Sequence, residues 1–219
     1  MIRFKICCIK DEGELRLAVT AGAAAVGLVS EMPSGPGVIG PEQIAHLSRR
    51  VPPGVSAFLL TSRRDARSLI EQQRALGADT LQLVDDPADE TVYADLRQAL
   101  PGVRLVQVIH VRDATSVEVA RRAARHADAL LLDSGNPGGP VPELGGTGRV
   151  HDWSFSRSIC EQVRVPVYLA GGLHAGNVAA AIEAVQPFGL DVCSGVRTQD
   201  RLDAFKLRAF AEAVRKAAN

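Results

Sequence analysis

The sequence predicts an α/β protein, a single (β/α)8 barrel running from residue 1 to residue 219. Three observations carry that expectation. Short, nearly continuous apolar runs recur eight times, as strands buried on both faces do in an all-parallel sheet. Longer amphipathic stretches separate them and supply the helical crossovers that parallel strands need. No G-x-G-x-x-G follows the first run, which argues against an open sheet wound around a dinucleotide.

The first run, Phe4–Ile9, leads into a helix-like stretch at Glu12–Ala21. Gly22 then offers a stop, since a left-handed cap costs glycine little. Ala25–Val29 is the second run, and Ser56–Leu60 is the third, after a Pro52-Pro53-Gly54 loop. Arg64–Leu76 reads as helix, ends at Gly77 and gives way to Thr80–Val84. The junction is used twice: Ala21-Gly22-Ala23 and Leu76-Gly77-Ala78-Asp79 each lead directly into a strand. Val103–Ile109 is the fifth run. In the following Ser116–Arg125, Val117, Ala120 and Ala124 share one face while arginines occupy the rest, an amphipathic helix pattern. Ala129–Leu132, Val167–Ala170 and Leu190–Cys193 complete the set. The stretch Gly135–Gly148 reads as a loop long enough to carry function. Eight β/α units in this length fit a compact TIM barrel.

Bulk properties narrow the partners. The chain is 46% hydrophobic and 23% charged, with 25 basic residues against 25 acidic. No global field would hold nucleic acid or an anionic membrane. No apolar run approaches the roughly 20 residues that span a bilayer, and the N-terminus lacks a signal-peptide apolar region. The four cysteines, Cys7, Cys8, Cys160 and Cys193, have no metal-knuckle spacing, and adjacent Cys7 and Cys8 make an awkward disulfide. A reduced, soluble, cytoplasmic protein without bound metal is expected.

In such barrels the chemistry collects just past the C-terminal ends of the strands. Cys7 and Cys8 end the first strand, Asp133 the sixth, Gly171 and Gly172 the seventh, and Ser194 and Gly195 the eighth. Alternation puts Lys5 and Cys7 on one face of the first strand and Phe4, Ile6 and Cys8 on the other. Cys8 is therefore expected to pack against helices. Lys5 and Cys7 stand about 7 Å apart along the strand, close enough for the ammonium to favour a thiolate able to take a carbon-bound proton. A small buried apolar thiol is the competing reading of Cys7. Burial would raise the pKa of Asp133 and suit it to general acid work, while capping of the next turn is its alternative. The paired glycines either turn the chain or let backbone N–H groups converge on a phosphate. The histidines (His46, His110, His126, His151 and His174) show no metal or triad pattern, though His110 and His174 fall where they would line the mouth. Arg63-Arg64 and Arg121-Arg122 read as solvated helix faces.

Together these motifs resemble the phosphoribosylanthranilate isomerase family of tryptophan biosynthesis, over nearly the whole chain. Lys5-Ile6-Cys7-Cys8-Ile9 is similar to its Lys-Ile-Cys-Gly-Ile opening. Leu131-Leu132-Asp133-Ser134, Gly145-Gly146-Thr147-Gly148 and Asp152-Trp153 resemble its strand-six signature. Leu169-Ala170-Gly171-Gly172-Leu173 with Asn177-Val178, then Asp191-Val192-Cys193-Ser194-Gly195-Val196, complete the likeness. The resemblance implies an Amadori rearrangement of an aminoaldose to an aminoketose with no metal or organic cofactor. It implies Asp133 as general acid and Cys7 as general base, and Gly171, Gly172, Ser194 and Gly195 at the phosphate. It further implies that Gly146 and Gly148 help enclose the phosphorylated sugar substrate and that Asp191 contacts it; monomer and homodimer both stay open.

Four departures are visible. Cys8 stands where the family has glycine, Gly37 where an arginine holds the aminobenzoate part, Val84 where it has histidine, and Arg197 where it has glutamate. Acid, base and phosphate positions are kept while groups around the rest of the ligand change. Arg197 and His110 are the candidates to supply the missing charge. Two further readings stay open: an isomerase for another phosphorylated sugar or aminosugar, and a non-catalytic binder of a phosphometabolite.

Overall fold

A computed structural model describes residues 2–33, 35–134 and 152–217. Eight parallel strands close into a barrel in sequence order: β1 (Arg3–Ile6), β2 (Ala25–Val29), β3 (Ser56–Thr61), β4 (Thr80–Leu83), β5 (Arg104–His110), β6 (Ala129–Asp133), β7 (Val167–Leu169) and β8 (Gly189–Val192). The helices around it are α1 (Glu12–Ala21), α2 (Pro41–Ser48), α3 (Ala66–Leu76), α4 (Thr91–Ala99), α5 (Thr115–Ala123), α6 (Trp153–Gln162), α7 (Val178–Val185) and α8 (Ala204–Ala217). Between β8 and α8 lie a 3-10 turn, Ser194–Val196, and a small antiparallel pair, β9 (Arg197–Thr198) with β10 (Arg201–Leu202). The closed parallel barrel is the fold that the apolar runs predicted. Among the described residues no helix is long and apolar enough to cross a membrane.

The period-two alternation of the strands feeds two separate cores. Phe4, Ile6, Leu59, Leu130, Leu132 and Leu190 point outward into the layer under the helices, where Phe4 meets Phe210 of α8 edge-to-face at 5.9 Å. Ala25, Phe58, Leu60, Val106, Leu131 and Ala170 fill the barrel interior. Phe58 and Tyr168 cross that interior edge-to-face at 6.0 Å, a geometry that aromatic rings prefer.

Local signals set the element ends. Asp11 accepts from the Glu14 amide to start α1, and Gly22 closes it at φ 93°. Asp65 accepts from the Ser68 amide to start α3, and Gly77 closes it at φ 72°. That cap corrects the helix expected from Arg64. Arg63 and Arg64 lie in the loop before α3, where Arg64 Nε donates to the Asp86 carbonyl at 2.7 Å. The first strand is also shorter than its apolar run, because Cys8 takes a φ of 65°. Pairing resumes around it: Cys7 N donates to Val192 O and Ile9 N to Gly27 O, both at 2.9 Å.

Candidate active site

Six of the candidates surround one cavity at the C-terminal mouth of the barrel: Cys7, Asp133, Gly171, Gly172, Asp191 and Ser194. Gly195 sits behind that wall, and Gly146 and Gly148 lie outside the described residues. Val29, Met32, Pro36, Leu60 and Val84 form an apolar flank on the β2–β4 side. Asp133 ends β6, paired in register with His110 of β5.

Beneath the cavity floor, Lys5 is fully buried and donates to Asp191 Oδ1 at 2.8 Å. The β1–β8 register sets these two residues side by side. Strand β2 makes room for Lys5 and Cys7 with Gly27: a β-carbon there would stand 3.0 Å from Cys7 Sγ and 3.1 Å from Lys5 Nζ. Gly27 escapes a search for reactive groups; its signal is a glycine at an inward position of an otherwise apolar strand. Burial alone would strip Lys5 of its proton, but the Asp191 carboxylate and the neighbouring thiols more than offset it and hold its pKa above the ordinary value.

The two central titratable groups are shifted toward each other. A hydrogen bond from Cys8 and the Lys5 ammonium draw the Cys7 thiol below its usual range, against burial and the Asp191 charge. Burial, together with the Asp191 carboxylate, pushes Asp133 up, although the Ser134 amide, His110 and Lys5 pull the other way. The Ser134 amide donates to Asp133 Oδ1 at 2.7 Å, so the turn-capping role and the position at the mouth coexist.

The loops after β7 and β8 interlock. Gly171 and Gly172 take φ 86° and 63°, and Asn177 pins the turn by donating to the Gly172 carbonyl at 2.9 Å while accepting from the His174 amide at 2.8 Å. At Gly195 a β-carbon would overlap the Leu173 carbonyl oxygen, so the short turn after β8 lies directly on the loop after β7. His174 caps its own turn, accepting from the Gly176 amide at 3.1 Å.

The sequence pattern of N-(5'phosphoribosyl)anthranilate (PRA) isomerase matches residues 4–213. A Methanocella arvoryzae protein named N-(5'-phosphoribosyl)anthranilate isomerase is 36% identical over 217 residues, covering 98% of this chain and 99% of its own. The chain belongs to the phosphoribosylanthranilate isomerase family. It is an isomerase of the aldose–ketose class. The Thermotoga maritima phosphoribosylanthranilate isomerase superimposes with a TM-score of 0.82 at 26% identity, over 99% of this chain and 100% of that one. Another phosphoribosylanthranilate isomerase, solved in complex with reduced 1-(o-carboxyphenylamino)-1-deoxyribulose 5-phosphate, shares the fold at a TM-score of 0.79 and 24% identity, over 99% and 100% of the two chains.

Against the phosphoribosylanthranilate isomerase pattern, two of the four departures turn out to touch. Gly37 takes φ 82°, and a β-carbon on it would overlap Cys8 Cβ and lie 2.9 Å from Cys8 Sγ. Cys8 therefore does not pack against the helices, as strand alternation predicted; its positive φ swings it into the mouth. Its Sγ there approaches Cys193 Sγ at 2.8 Å and the Pro36 carbonyl at 3.5 Å. Nor does Arg197 supply charge to the ligand. It is buried, ion-paired with Glu14 at 2.9 Å, and it donates to the carbonyls of Cys7 and Cys8. His110 Nε2 donates to the Val84 carbonyl at 2.9 Å, while its Nδ1 is buried with no partner among the described residues. Among the described residues the cavity wall contains no lysine or arginine.

Proposed function

We propose that the enzyme performs the Amadori rearrangement of N-(5'-phosphoribosyl)anthranilate to the aminoketose, with Asp133 as general acid and Cys7 as general base. The observation that carries this reading is that Asp133 and Cys7 line one cavity together with Asp191, which Lys5 holds from below; the tuning of the two groups is opposed. A carboxyl pushed up by burial keeps a proton to give. A thiol drawn down by Cys8 and Lys5 is poised to accept one. Asp133 protonates the furanose ring oxygen, the C1–O bond opens, and the anilino nitrogen carries the charge as an iminium. That cation acidifies the C2 hydrogen, so a modest base at neutral pH suffices. Cys7 takes this proton, leaving an enolamine that tautomerises to the ketone.

Gly171, Gly172, Ser194 and Gly195 form the phosphate cradle in this reading, since loops seven and eight are the usual phosphate site of such barrels and backbone N–H groups there suit an anion. Asp191, held by Lys5, faces the sugar. The apolar flank from Val29 to Val84 receives the aryl ring. Gly146 and Gly148 retain their enclosing role as part of the proposal.

The test is turnover of freshly generated phosphoribosylanthranilate, followed by loss of its anthranilate fluorescence. Cys7→Ala and Asp133→Asn are each expected to lower kcat by about 10²–10⁴-fold, the range for loss of one acid or base, while keeping the wild-type fold. Wild-type rates in both variants would refute the acid–base assignment. A folded wild-type enzyme inactive on this substrate would move the reading to another phosphorylated aminosugar.

A further inference from the structure

We infer that Cys8 and Cys193 form a reversible oxidation site at the barrel mouth, which hydrogen peroxide converts to a disulfide and which thereby slows the reaction. The pair is built by the fold, because these cysteines leave strands that are far apart in sequence and adjacent across the seam where β1 meets β8. Their sulfurs stand 2.8 Å apart, so a disulfide of about 2.0 Å needs an approach of less than an ångström. Two contacts hold Cys8 in that direction: its left-handed backbone and Gly37 lying against its Cβ. Both cysteines line the cavity, and Cys193 is the more exposed of the two.

The chemistry balances with one peroxide per pair. The Cys193 sulfur attacks a peroxide oxygen, the O–O bond breaks, one water leaves and a sulfenic acid remains. The Cys8 sulfur displaces that hydroxyl, the S–S bond forms and a second water departs. Two thiols supply the two electrons. Transient disulfides of this kind are the form usually found in reducing compartments, where they serve as sensors. The consequence for the reaction rests on Cys7 being its base: Cys8 is the chain neighbour of Cys7, both line the cavity with Cys193, and a disulfide there reshapes the mouth beside Cys7 and removes an S–H that favours its thiolate.

The experiment treats the folded enzyme with hydrogen peroxide, alkylates the remaining thiols and maps tryptic peptides. Peptide Ile6–Lys10 should be joined to Val165–Arg197, with turnover reduced about tenfold and restored by dithiothreitol. The link should vanish in Cys8→Ser and in Cys193→Ser, and persist in Cys7→Ser. Cys193→Ser, whatever its own basal turnover, should lose the dithiothreitol-reversible part of the inactivation. Cys160 has no second sulfur beside it among the described residues, unlike the Cys8–Cys193 pair; alkylated under denaturing conditions, it should be recovered unlinked and serves as the internal control. A folded wild-type enzyme with no such peptide, a link that survives in Cys8→Ser, or an oxidised enzyme with undiminished turnover would each overturn the inference.

Discussion

Cys8 and Gly37 are two departures from the family that make sense as one. The thiol occupies space that a side chain at position 37 would need, and Gly37 Cα accepts that closeness because it carries no β-carbon. Gly37→Arg alone should therefore be destabilising, and the same change on a Cys8→Gly background should cost less. A double-mutant cycle read by chemical denaturation is expected to give a coupling of roughly 0.5–3 kcal/mol, the range for residues in contact; additivity would mean that the overlap relaxes freely. Cys8 also bears on the rate. In the proposed mechanism turnover follows the fraction of molecules with Asp133 protonated and Cys7 ionised together, so raising the Cys7 pKa shrinks that fraction and moves its maximum to higher pH. Cys8→Gly should lower the peak of the bell-shaped pH–rate profile and shift its centre upward; an unchanged profile would remove Cys8 from the tuning of Cys7. The places of Cys7 and Asp133 at the mouth were legible in the sequence, because both continue the inward face of a strand whose period is two. The turn of Cys8 was not, since it depends on a positive φ and on a contact one β/α unit away.

At the scale of elements, the end of β1 is held by a buried clamp. Glu14 of α1 accepts from Arg197, from the Lys10 amide at 3.1 Å and from the Leu202 amide at 2.9 Å, while Arg197 reaches the Cys7 and Cys8 carbonyls. One ion pair thus joins α1, β1 and the β9–β10 hairpin. Breaking it from one side leaves a buried charge, which typically costs about 3–5 kcal/mol. Arg197→Met should show a loss of that order in urea unfolding, and Glu14→Leu combined with Arg197→Met should recover much of it. A single variant as stable as the wild type would show that water solvates Glu14. Helix starts and stops were readable from Asp11, Gly22 and Gly77, because caps are local. The work of Arg197 was not, since its partner lies 183 positions away and a lone arginine beside a strand end looks the same whether it faces ligand or core.

Across the whole molecule, the role proposed for Asp133 and the stability of the fold oppose each other. Its folded-state pKa lies above the unfolded value, so the ionised group destabilises the native state at high pH. That penalty is relieved as pH falls through the folded pKa and is gone below the unfolded value near 3.9. Asp133→Asn keeps the shape without the charge. It should raise the melting temperature at neutral pH, by roughly 2–4 °C for each kcal/mol recovered, with kcat lowered as proposed above; a lower melting temperature would mean that the carboxylate is paid for by its hydrogen bonds. The barrel itself was legible because eight apolar runs in order leave few alternatives. Its seam, where Lys5 meets Asp191, was not, since a lysine in an apolar run gives no sign of the aspartate that neutralises it.

That seam sets a clock for the newborn chain. At about 5–20 residues per second, the ribosome exposes Lys5 on the order of ten seconds or more before Asp191 arrives 186 positions later. Until then a half-built barrel would have to bury an ammonium with no counterion, so the early strands are better left open, with Lys5 in water, than closed on themselves. The last strand brings in the charge that lets the first one become dry.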